Sequence, residues 1–315
     1  MDPTKLRYFL AVLETGHFAR AAQSLGISQP AISKSIKALE DDLGVRLFER
    51  GQFGAEPTRY ALRLATRAKL MLAEGRLARA ELEAMRGARK GRLAIGAGIS
   101  FASRILPIAI ERYRRRWPGI SVSIDVGMSG SLFPALQSGE FDFVVSAPPI
   151  ALTIDGDLSQ EKLFDEVDSI VVGRDHPLLK APPASLNDIG NYPWLVSGRS
   201  GLWDYICASF VEAGLRPPRD VVRTDSETLA KGLMNHGPYI CLLGRELYAL
   251  EAEAGLLFEI PLAGFGDIRP ALITTRKRSP LQLAARNMIA IIRSVCAEES
   301  HDMLIPSDQI ANDKR

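Results

Sequence analysis

A row of hydrogen-bond donors lies on one face of a predicted helix within the segment SQPAISKSIKALEDDLGV, residues 28–45. Ile32, Ile36 and Leu39 form the apolar stripe of this helix. The opposite face carries donors and no acid, namely Gln29, Ser33, Lys34 and Lys37. Acidic residues begin only at Glu40, although acids usually favour a helix N-terminus and bases its C-terminus. The reversed order indicates a partner whose attraction outweighs the preference of the helix dipole.

Serine and glycine follow three predicted strands, and these turns are the second group with binding chemistry. They comprise Ser100, the run Ser129, Gly130 and Ser131, and the segment from Ser197 to Gly201, which contains Arg199 and Ser200. In open α/β sheets, ligands bind beyond the carboxyl ends of strands, where helix N-termini offer free N–H groups. Hydroxyls and amides there suit a carboxylate or another small anion. Each serine taken alone is better explained as a helix cap, whereas the cluster favours a ligand site.

No motif of an enzyme or a metal site accompanies these residues. The sequence contains no G-x-S-x-G, H-E-x-x-H or P-loop pattern, and GAGIS lacks the third glycine of a dinucleotide fingerprint. The four histidines have no ligand spacing, and the three cysteines form no CxxC pair. We therefore expect no catalytic residue, no metal and no cofactor.

The charge of the chain is unevenly distributed. The 315 residues carry a formal net charge of +2, but residues 1–92 carry +7 and the remainder carries −5. A basic N-terminal part favours contact with a polyanion. The length predicts two or three domains. The lack of a long apolar run and of an export signal predicts no membrane span and a cytoplasmic location.

Helix and turn signals dominate the first 90 residues. Only residues 26–28 separate the second predicted helix from the third, which is the short glycine-containing turn of a helix-turn-helix. Residues 47–58 contain two glycines and a proline and predict a hairpin wing. A helix then runs from Thr58 to about Arg86. Its apolar stripe has a coiled-coil period and predicts a dimer contact, with packing on its own domain as the alternative: Leu64, Ala68, Met71, Gly75, Ala78, Leu82 and Met85.

Beyond the long helix, strands and helices alternate. The order strand, helix, strand, helix, strand over residues 92–147 predicts a parallel, doubly wound sheet, and a second such unit covers residues 193–244. A further strand at 268–275 and a closing helix return to the first unit. Two linking segments are therefore expected near residues 164–169 and 264–268.

The N-terminal 50 residues resemble the LysR-type transcriptional regulators. The segments beginning Phe18-Ala-x-Ala-Ala, Ser28-Gln-Pro-Ala and Leu43-Gly-Val-x-Leu-Phe-x-Arg follow the family pattern almost position by position. The long helix and the two α/β units match the family layout, so the resemblance extends over residues 1–297. It implies an α/β chain with an N-terminal all-α winged helix-turn-helix, a long linker helix, and a C-terminal effector domain. That domain would have two Rossmann-like subdomains, resembling the type 2 periplasmic binding proteins.

The resemblance also implies domain limits. In chain order they are 1–58 for the DNA-binding domain, 59–90 for the linker and dimerisation helix, 91–297 for the effector domain and 298–315 for a loose tail. Within the effector domain, subdomain I would comprise residues 91–163 and 268–297, and subdomain II residues 164–267.

In this family the third helix is the recognition helix of the helix-turn-helix, here within Phe18 to Lys37, and it enters the major groove of duplex DNA. The predicted DNA contacts are Ser28, Gln29, Pro30, Ser33, Lys34, Lys37 and Arg50. Gln29 would pair with adenine, and Lys34, where the family commonly has arginine, with guanine. Lys37 and Arg50 are better placed for phosphates.

The family further implies a small-molecule inducer, a homodimer or homotetramer, and contact with RNA polymerase. The predicted effector contacts are Ser100, Ser129, Gly130, Ser131, Arg199, Ser200 and Gly201. The predicted dimer contacts are Leu64, Met71, Ala78, Leu82 and Met85. The resulting interpretation is a regulator whose promoter binding or activity responds to a small anionic metabolite.

Two other functions fit parts of the sequence. A solute-binding protein of a transport system would explain the two α/β units, but it would be exported and would lack residues 1–90. An enzyme using the same cleft would need a nucleophile or base with an orienting partner, and the sequence offers no such arrangement.

Overall fold

A computed structural model of the protein describes residues 1–51, 54–85, 91–148, 156–198, 201–266 and 268–302. Its first helices are α1 (Pro3–Thr15), α2 (Phe18–Leu25) and α3 (Gln29–Leu43). The Asp2 side chain starts α1 by accepting a hydrogen bond from the N–H of Thr4 at 2.7 Å. Gly16, Gly26 and Gly44 end the three helices with φ between 65° and 67°, the left-handed conformation that favours glycine. The helix limits therefore follow from local sequence signals.

The three helices enclose one apolar core. Its buried members include Leu6, Phe9, Val12, Ala21, Ile32, Ile36 and Leu39. A wing of two antiparallel strands, β1 (Phe48–Gly51) and β2 (Gly54–Pro57), follows α3 as predicted. The N–H of Ala55 donates to the carbonyl oxygen of Gly16 at 2.7 Å, so the wing is attached to the turn after α1. The helices and wing, residues 3–57, are called the head below.

Helix α4 (Arg59–Met85) leaves the wing as a single helix of 27 residues. Ala61 and Ala68 are buried, and Leu64 and Leu72 pack against the core of the head. The first half of α4 is therefore anchored to the head, while its second half extends beyond it.

The rest of the described chain forms one mixed sheet flanked by helices. Its strands are β3 (Gly91–Ala97), β4 (Ile120–Val126), β5 (Phe143–Ser146), β6 (Leu158–Gly173), β7 (Trp194–Val196), β8 (Val221–Arg223), β9 (Ile240–Gly244), β10 (Leu257–Ile260) and β11 (Ile268–Arg276). The order across the sheet is β4-β3-β5-β11-β6-β9-β7-β8, with β10 beside β6. Its helices are α5 (Leu106–Arg116), α6 (Ser129–Gln137), α7 (Leu186–Ile189), α8 (Leu202–Glu212), α9 (Glu227–His236), α10 (Arg245–Glu253) and α11 (Leu283–Asp302).

The sheet contains two parallel groups joined by antiparallel strands. β4, β3 and β5 are parallel, and so are β8, β7 and β9. The predicted parallel order within each unit is therefore confirmed, but the sheet as a whole is mixed, because β11 opposes β5 and β6, and β6 opposes β9 and β10. The first group with β11, α5, α6 and α11 is called the first unit, and the second group with β10 and α8–α10 the second unit. Both linking strands enter a unit at the edge where its parallel strands end. Such a strand must run antiparallel to the strands already there.

Two continuous strands connect the units. β6 pairs with β11 along residues 158–167 and with β9 along residues 168–171. The links expected near residues 164–169 and 264–268 therefore coincide with the middle of β6 and the start of β11. The sequence interpretation missed the first half of β6, and it also missed α7, α10 and β10.

The C-terminal helix is longer than expected. Helix α11 continues to Asp302, so residues 298–302, predicted to belong to a loose tail, are helical. Residues 303–315 lie outside the described residues. A local feature precedes α5, where the segment Phe101–Ile105 forms a π-helical turn.

Candidate nucleic-acid interface and ligand cleft

The N-terminal end of α3 presents polar side chains to solvent. Of the predicted DNA contacts, Ser28, Gln29, Pro30, Lys34 and Lys37 are exposed and Ser33 is half-buried. Ile32 and Ile36, on the opposite face, are 0% and 2% exposed. Within the described part of the chain, the side chains of Gln29, Lys34 and Lys37 form no hydrogen bond or ion pair. These donors are therefore available to a partner.

Ser28 occupies the capping position of α3, but its hydroxyl forms no capping hydrogen bond. Its carbonyl oxygen instead accepts from the N–H groups of Ala31 at 3.1 Å and Ile32 at 3.3 Å. Although serine is a common capping residue, the Ser28 hydroxyl does not serve as one here, and Pro30 near the helix start already removes one of the N–H groups that would need a cap.

Glu40 has a structural role that the sequence did not indicate. Its Oε1 accepts the N–H groups of Leu47 at 2.7 Å and Phe48 at 3.2 Å. The carboxylate therefore attaches the start of the wing to α3. The fixed wing in turn holds Arg50 on β1, although the side chain of Arg50 lies outside the described part of the chain.

Close packing also fixes the wing from the other side. Gly54 has φ of 134°, and a Cβ at this position would lie 2.5 Å from the carbonyl oxygen of Gly16 and 2.5 Å from Nδ1 of His17. Only glycine fits this position, so the wing approaches the α1–α2 turn as closely as backbone atoms allow.

The predicted effector residues divide between the two units. Ser100 is the third residue after β3 and is 9% exposed, and Ser129 is the first residue of α6 and is 8% exposed. Both follow parallel strands of the first unit, so they lie at one edge of the sheet. Gly201, before α8 in the second unit, is exposed. The facing space beyond the carboxyl ends of the parallel strands is called the cleft.

Other predicted effector residues are less informative. Ser131 is exposed, and its hydroxyl donates to the carbonyl oxygen of Met128 at 2.9 Å, a local hydrogen bond within the helix start. Gly130 is exposed, and Arg199 and Ser200 lie outside the described residues. Ser197 donates to Asp225 Oδ1 at 2.7 Å, so Asp225 holds the turn after β7.

A buried ion-pair cluster at the junction of the units was not predicted. Arg269 at the start of β11 lies 2.9 Å from Asp168 Oδ1 and 3.3 Å from Glu166 Oε2, both on β6. It also donates to the carbonyl oxygen of Ala147 at 3.2 Å. Burial raises the pKa of Glu166, while Arg269 and then the Ser100 hydroxyl act in the opposite direction. The cluster thus joins both linking strands next to a predicted effector residue.

The predicted dimer contacts on α4 have different environments. Leu64 packs into the head of its own chain, as the alternative interpretation proposed for the whole stripe. Met71 and Leu82 are 46% and 63% exposed, and Ala78 is also exposed. The side chain of Met85 lies outside the described part of the chain.

The described ranges contain neither a membrane-spanning helix nor a metal-binding cluster. No helix in the described ranges has the length and apolarity needed to cross a bilayer. Among the same residues, no group of three or more histidine, cysteine or acidic side chains could hold a metal ion.

Comparison with known proteins identifies the family. The description "Bacterial regulatory helix-turn-helix protein, lysR family" matches residues 3–62, and "LysR substrate binding domain" matches residues 86–297. The HTH-type transcriptional regulator GalR of Pseudomonas putida is 30% identical over 298 residues, which are 94% of this chain and 74% of GalR.

Two solved structures share the fold. Full-length CbnR complexed with its target DNA superposes with a TM-score of 0.65 and 23% identity, covering 94% of this chain and 100% of CbnR. Full-length LysG from Corynebacterium glutamicum with bound effector Arg has a TM-score of 0.62 and 20% identity, covering 95% and 99%. The predicted order of helix-turn-helix, linker helix and α/β effector domain is confirmed. The chain belongs to the LysR-type family of DNA-binding transcriptional regulators and is not an enzyme.

Proposed function

We propose that this regulator reads duplex DNA through the N-terminal end of α3 and that a small anionic metabolite in the cleft alters its promoter binding or activity. The observation that carries the proposal is the donor face of α3, where Gln29, Lys34 and Lys37 have no intrachain partner among the described residues. Gln29 would read adenine, Lys34 guanine, and Lys37 a phosphate. The protein would act in the cytoplasm, where chromosomal DNA is found.

The anionic character of the effector is supported by the start of α6. The first N–H groups of a helix have no intrahelical acceptor and carry partial positive charge. Ser129 stands at this helix start, and Ser100 follows the neighbouring strand. A carboxylate-bearing metabolite would fit this part of the cleft.

The oligomer is proposed to form through the second half of α4. Met71, Ala78 and Leu82 follow the coiled-coil spacing and expose apolar surface in the single chain. A homodimer formed there would bring two heads to two half-sites of an operator, and pairing of dimers would give a tetramer. We propose the domain limits 1–58, 59–90 and 91–297 for this assembly, with RNA polymerase as a further partner.

The experiment is selection of duplexes from a random pool, followed by affinity measurement on the selected duplex and on an unrelated one. Gln29→Ala should weaken the selected duplex by about 1–3 kcal/mol and leave the unrelated one nearly unchanged. Lys37→Ala is the matched control, because loss of a phosphate contact should weaken both duplexes alike and reduce the salt dependence. Equal losses on both duplexes for Gln29→Ala would assign Gln29 to positioning, and no selected duplex at all would refute the proposed function.

A further inference from the structure

A turn at the end of α6 contacts the linker helix α4 of the same chain. Lys69 Nζ lies 2.6 Å from Glu140 Oε1, and Arg76 Nη2 donates to the carbonyl oxygen of Gly139 at 3.3 Å. Ala73, between these two basic residues, is only 3% exposed. The spacing of four and three places Lys69, Ala73 and Arg76 on one helix face. This face differs from the one that packs into the head.

The contact at the centre of this face has no spare room. Gly139 has φ of 77°, and a Cβ on it would lie 2.4 Å from the Cβ of Ala73. Glycine is therefore required both for the backbone conformation and for the approach. The N–H of Gly139 donates to Leu136 at 3.0 Å and that of Glu140 to Ala135 at 2.9 Å, which closes the helix end in a Schellman motif.

The same turn is held by the sheet behind it. Arg276, the last residue of β11, donates through Nη1 to the carbonyl oxygens of Leu136 at 2.9 Å and Phe141 at 2.8 Å. The Ser138 hydroxyl contacts Glu140 Oε1 at 2.9 Å. Residues 138–140, called the docking turn, are therefore fixed to the first unit and move with it.

We propose that α6 and the docking turn transmit effector binding from the cleft to the head through α4. Helix α6 begins at the predicted effector residue Ser129 and ends at the docking turn, a length of about 14 Å for nine residues. Helix α4 receives the docking turn on one face and packs Leu64 and Ala68 into the head on another. The inference rests on the proposed function, since it takes the start of α6 as the effector site.

The proposed transmission depends on a series of close-packed contacts. A ligand that prefers one position of α6 biases the position of the docking turn, and close-packed contacts pass such shifts on instead of absorbing them. Because Gly139 touches Ala73 directly, α4 must follow the turn, and the head must follow α4. Coupling is reciprocal, so DNA bound to the head must also affect α6. That reverse direction can be tested without knowing the effector.

The test uses the full-length protein and the duplex selected by it from a random pool, with amide hydrogen exchange of residues 129–137 as the readout. In the wild type, the duplex should change exchange in α6 by about fivefold or more, the lower limit of typical coupling between sites. Glu140→Lys and Lys69→Glu should each reduce this response to less than twofold. The double variant, in which the two charges are swapped, should restore it. Glu111→Lys, in the exposed pair with Arg115 on α5, is the matched control and should leave the response intact.

The outcomes separate the two proposals, because duplex binding is measured on the same samples. If the duplex binds but α6 exchange does not change in the wild type, the transmission route is refuted while the proposed function stands. A full response in both single variants would also refute it. Lys69 and Glu140 are half-exposed, so reversing their charges leaves the core intact. The double variant distinguishes a lost contact from a folding defect, because it restores the ion pair.

Discussion

Arg269 pairs with both Asp168 and Glu166, and replacing it by methionine tests whether the buried cluster holds the two units together. The Asp168 side chain is 0% exposed, that of Glu166 3%, and that of Arg269 16%. Methionine keeps much of the aliphatic volume but removes the guanidinium. Two buried carboxylates would then lose the guanidinium that they share.

The expected loss is large for a single substitution. Breaking a buried ion pair by removing one partner costs about 3–5 kcal/mol, because the remaining charge stays desolvated. The loss should shrink on acidification: without Arg269 the folded-state pKa of Glu166 rises further above its unfolded value, so the folded state gains stability by holding a proton. That gain is fully present below the unfolded pKa of about 4 and disappears as pH rises through the folded pKa.

Urea denaturation followed by tryptophan fluorescence measures this loss selectively, because all three tryptophans lie in the α/β units: Trp117, Trp194 and Trp203. Arg293→Met is the matched control, since Arg293 forms a two-point pair with Glu161 in which both side chains are half-exposed. Such a surface pair should contribute about 0–1 kcal/mol. A loss for Arg269→Met no larger than that of the control, or a loss that is the same at pH 5 and pH 7.5, would refute the reasoning.

Three further predictions follow from exposed or buried single residues. Leu82→Glu should place a charge in the proposed dimer contact and lower the sedimenting mass, whereas Leu250→Glu, at a similarly exposed leucine of α10, should not. Equal masses for the wild type and both variants would exclude a dimer contact through α4. Ser129→Ala should reduce the thermal shift produced by a carboxylate found in a screen of small organic acids, and Ser131→Ala, whose hydroxyl is used on a local carbonyl, should not; the reverse ranking contradicts the assignment. Burial lowers the pKa of His176, so the free energy of unfolding should fall as pH drops below about 6.5. His176→Gln should flatten this pH dependence in the same fluorescence assay, and an unchanged dependence would exclude His176 as its source.

The head could be predicted closely because its signals are local. An Asp cap, Gly stops at residues 16, 26 and 44, and a stripe of apolar residues each act within one or two helical turns. The same signals predicted the length of α4. They could not show that α4 presents one face to the head, a second to the first unit and a third to solvent, because that division depends on contacts with Gly139 and Glu140, far along the chain.

The antiparallel direction of β6 and β11 and the ion-pair cluster at the junction of the units could not be predicted in the same way. The first half of β6 contains the charged residues Glu161, Lys162 and Asp165, which hide its strand character, and its pairing with β11 supplies the backbone hydrogen bonds. Asp168 and Arg269 are 101 residues apart, so no periodicity connects them. The positions of the serines at the cleft could be predicted, because they depend only on where strands end, and the sequence indicates those ends.

The unusual charge order of α3 has two separate physical causes. Glu40 stands late in the helix because the wing begins seven residues further on and needs an acceptor for the N–H groups of Leu47 and Phe48. The absence of acids from the first turns fits the proposed DNA contacts: a carboxylate beside Gln29 or Lys34 would repel DNA phosphates and would also neutralise the donors. The helix dipole is worth only about 0.3–1 kcal/mol at an exposed terminus. The partly buried Glu40 contact and the proposed phosphate contacts together outweigh it, so folding of the wing and the proposed binding of DNA account for where the charges lie.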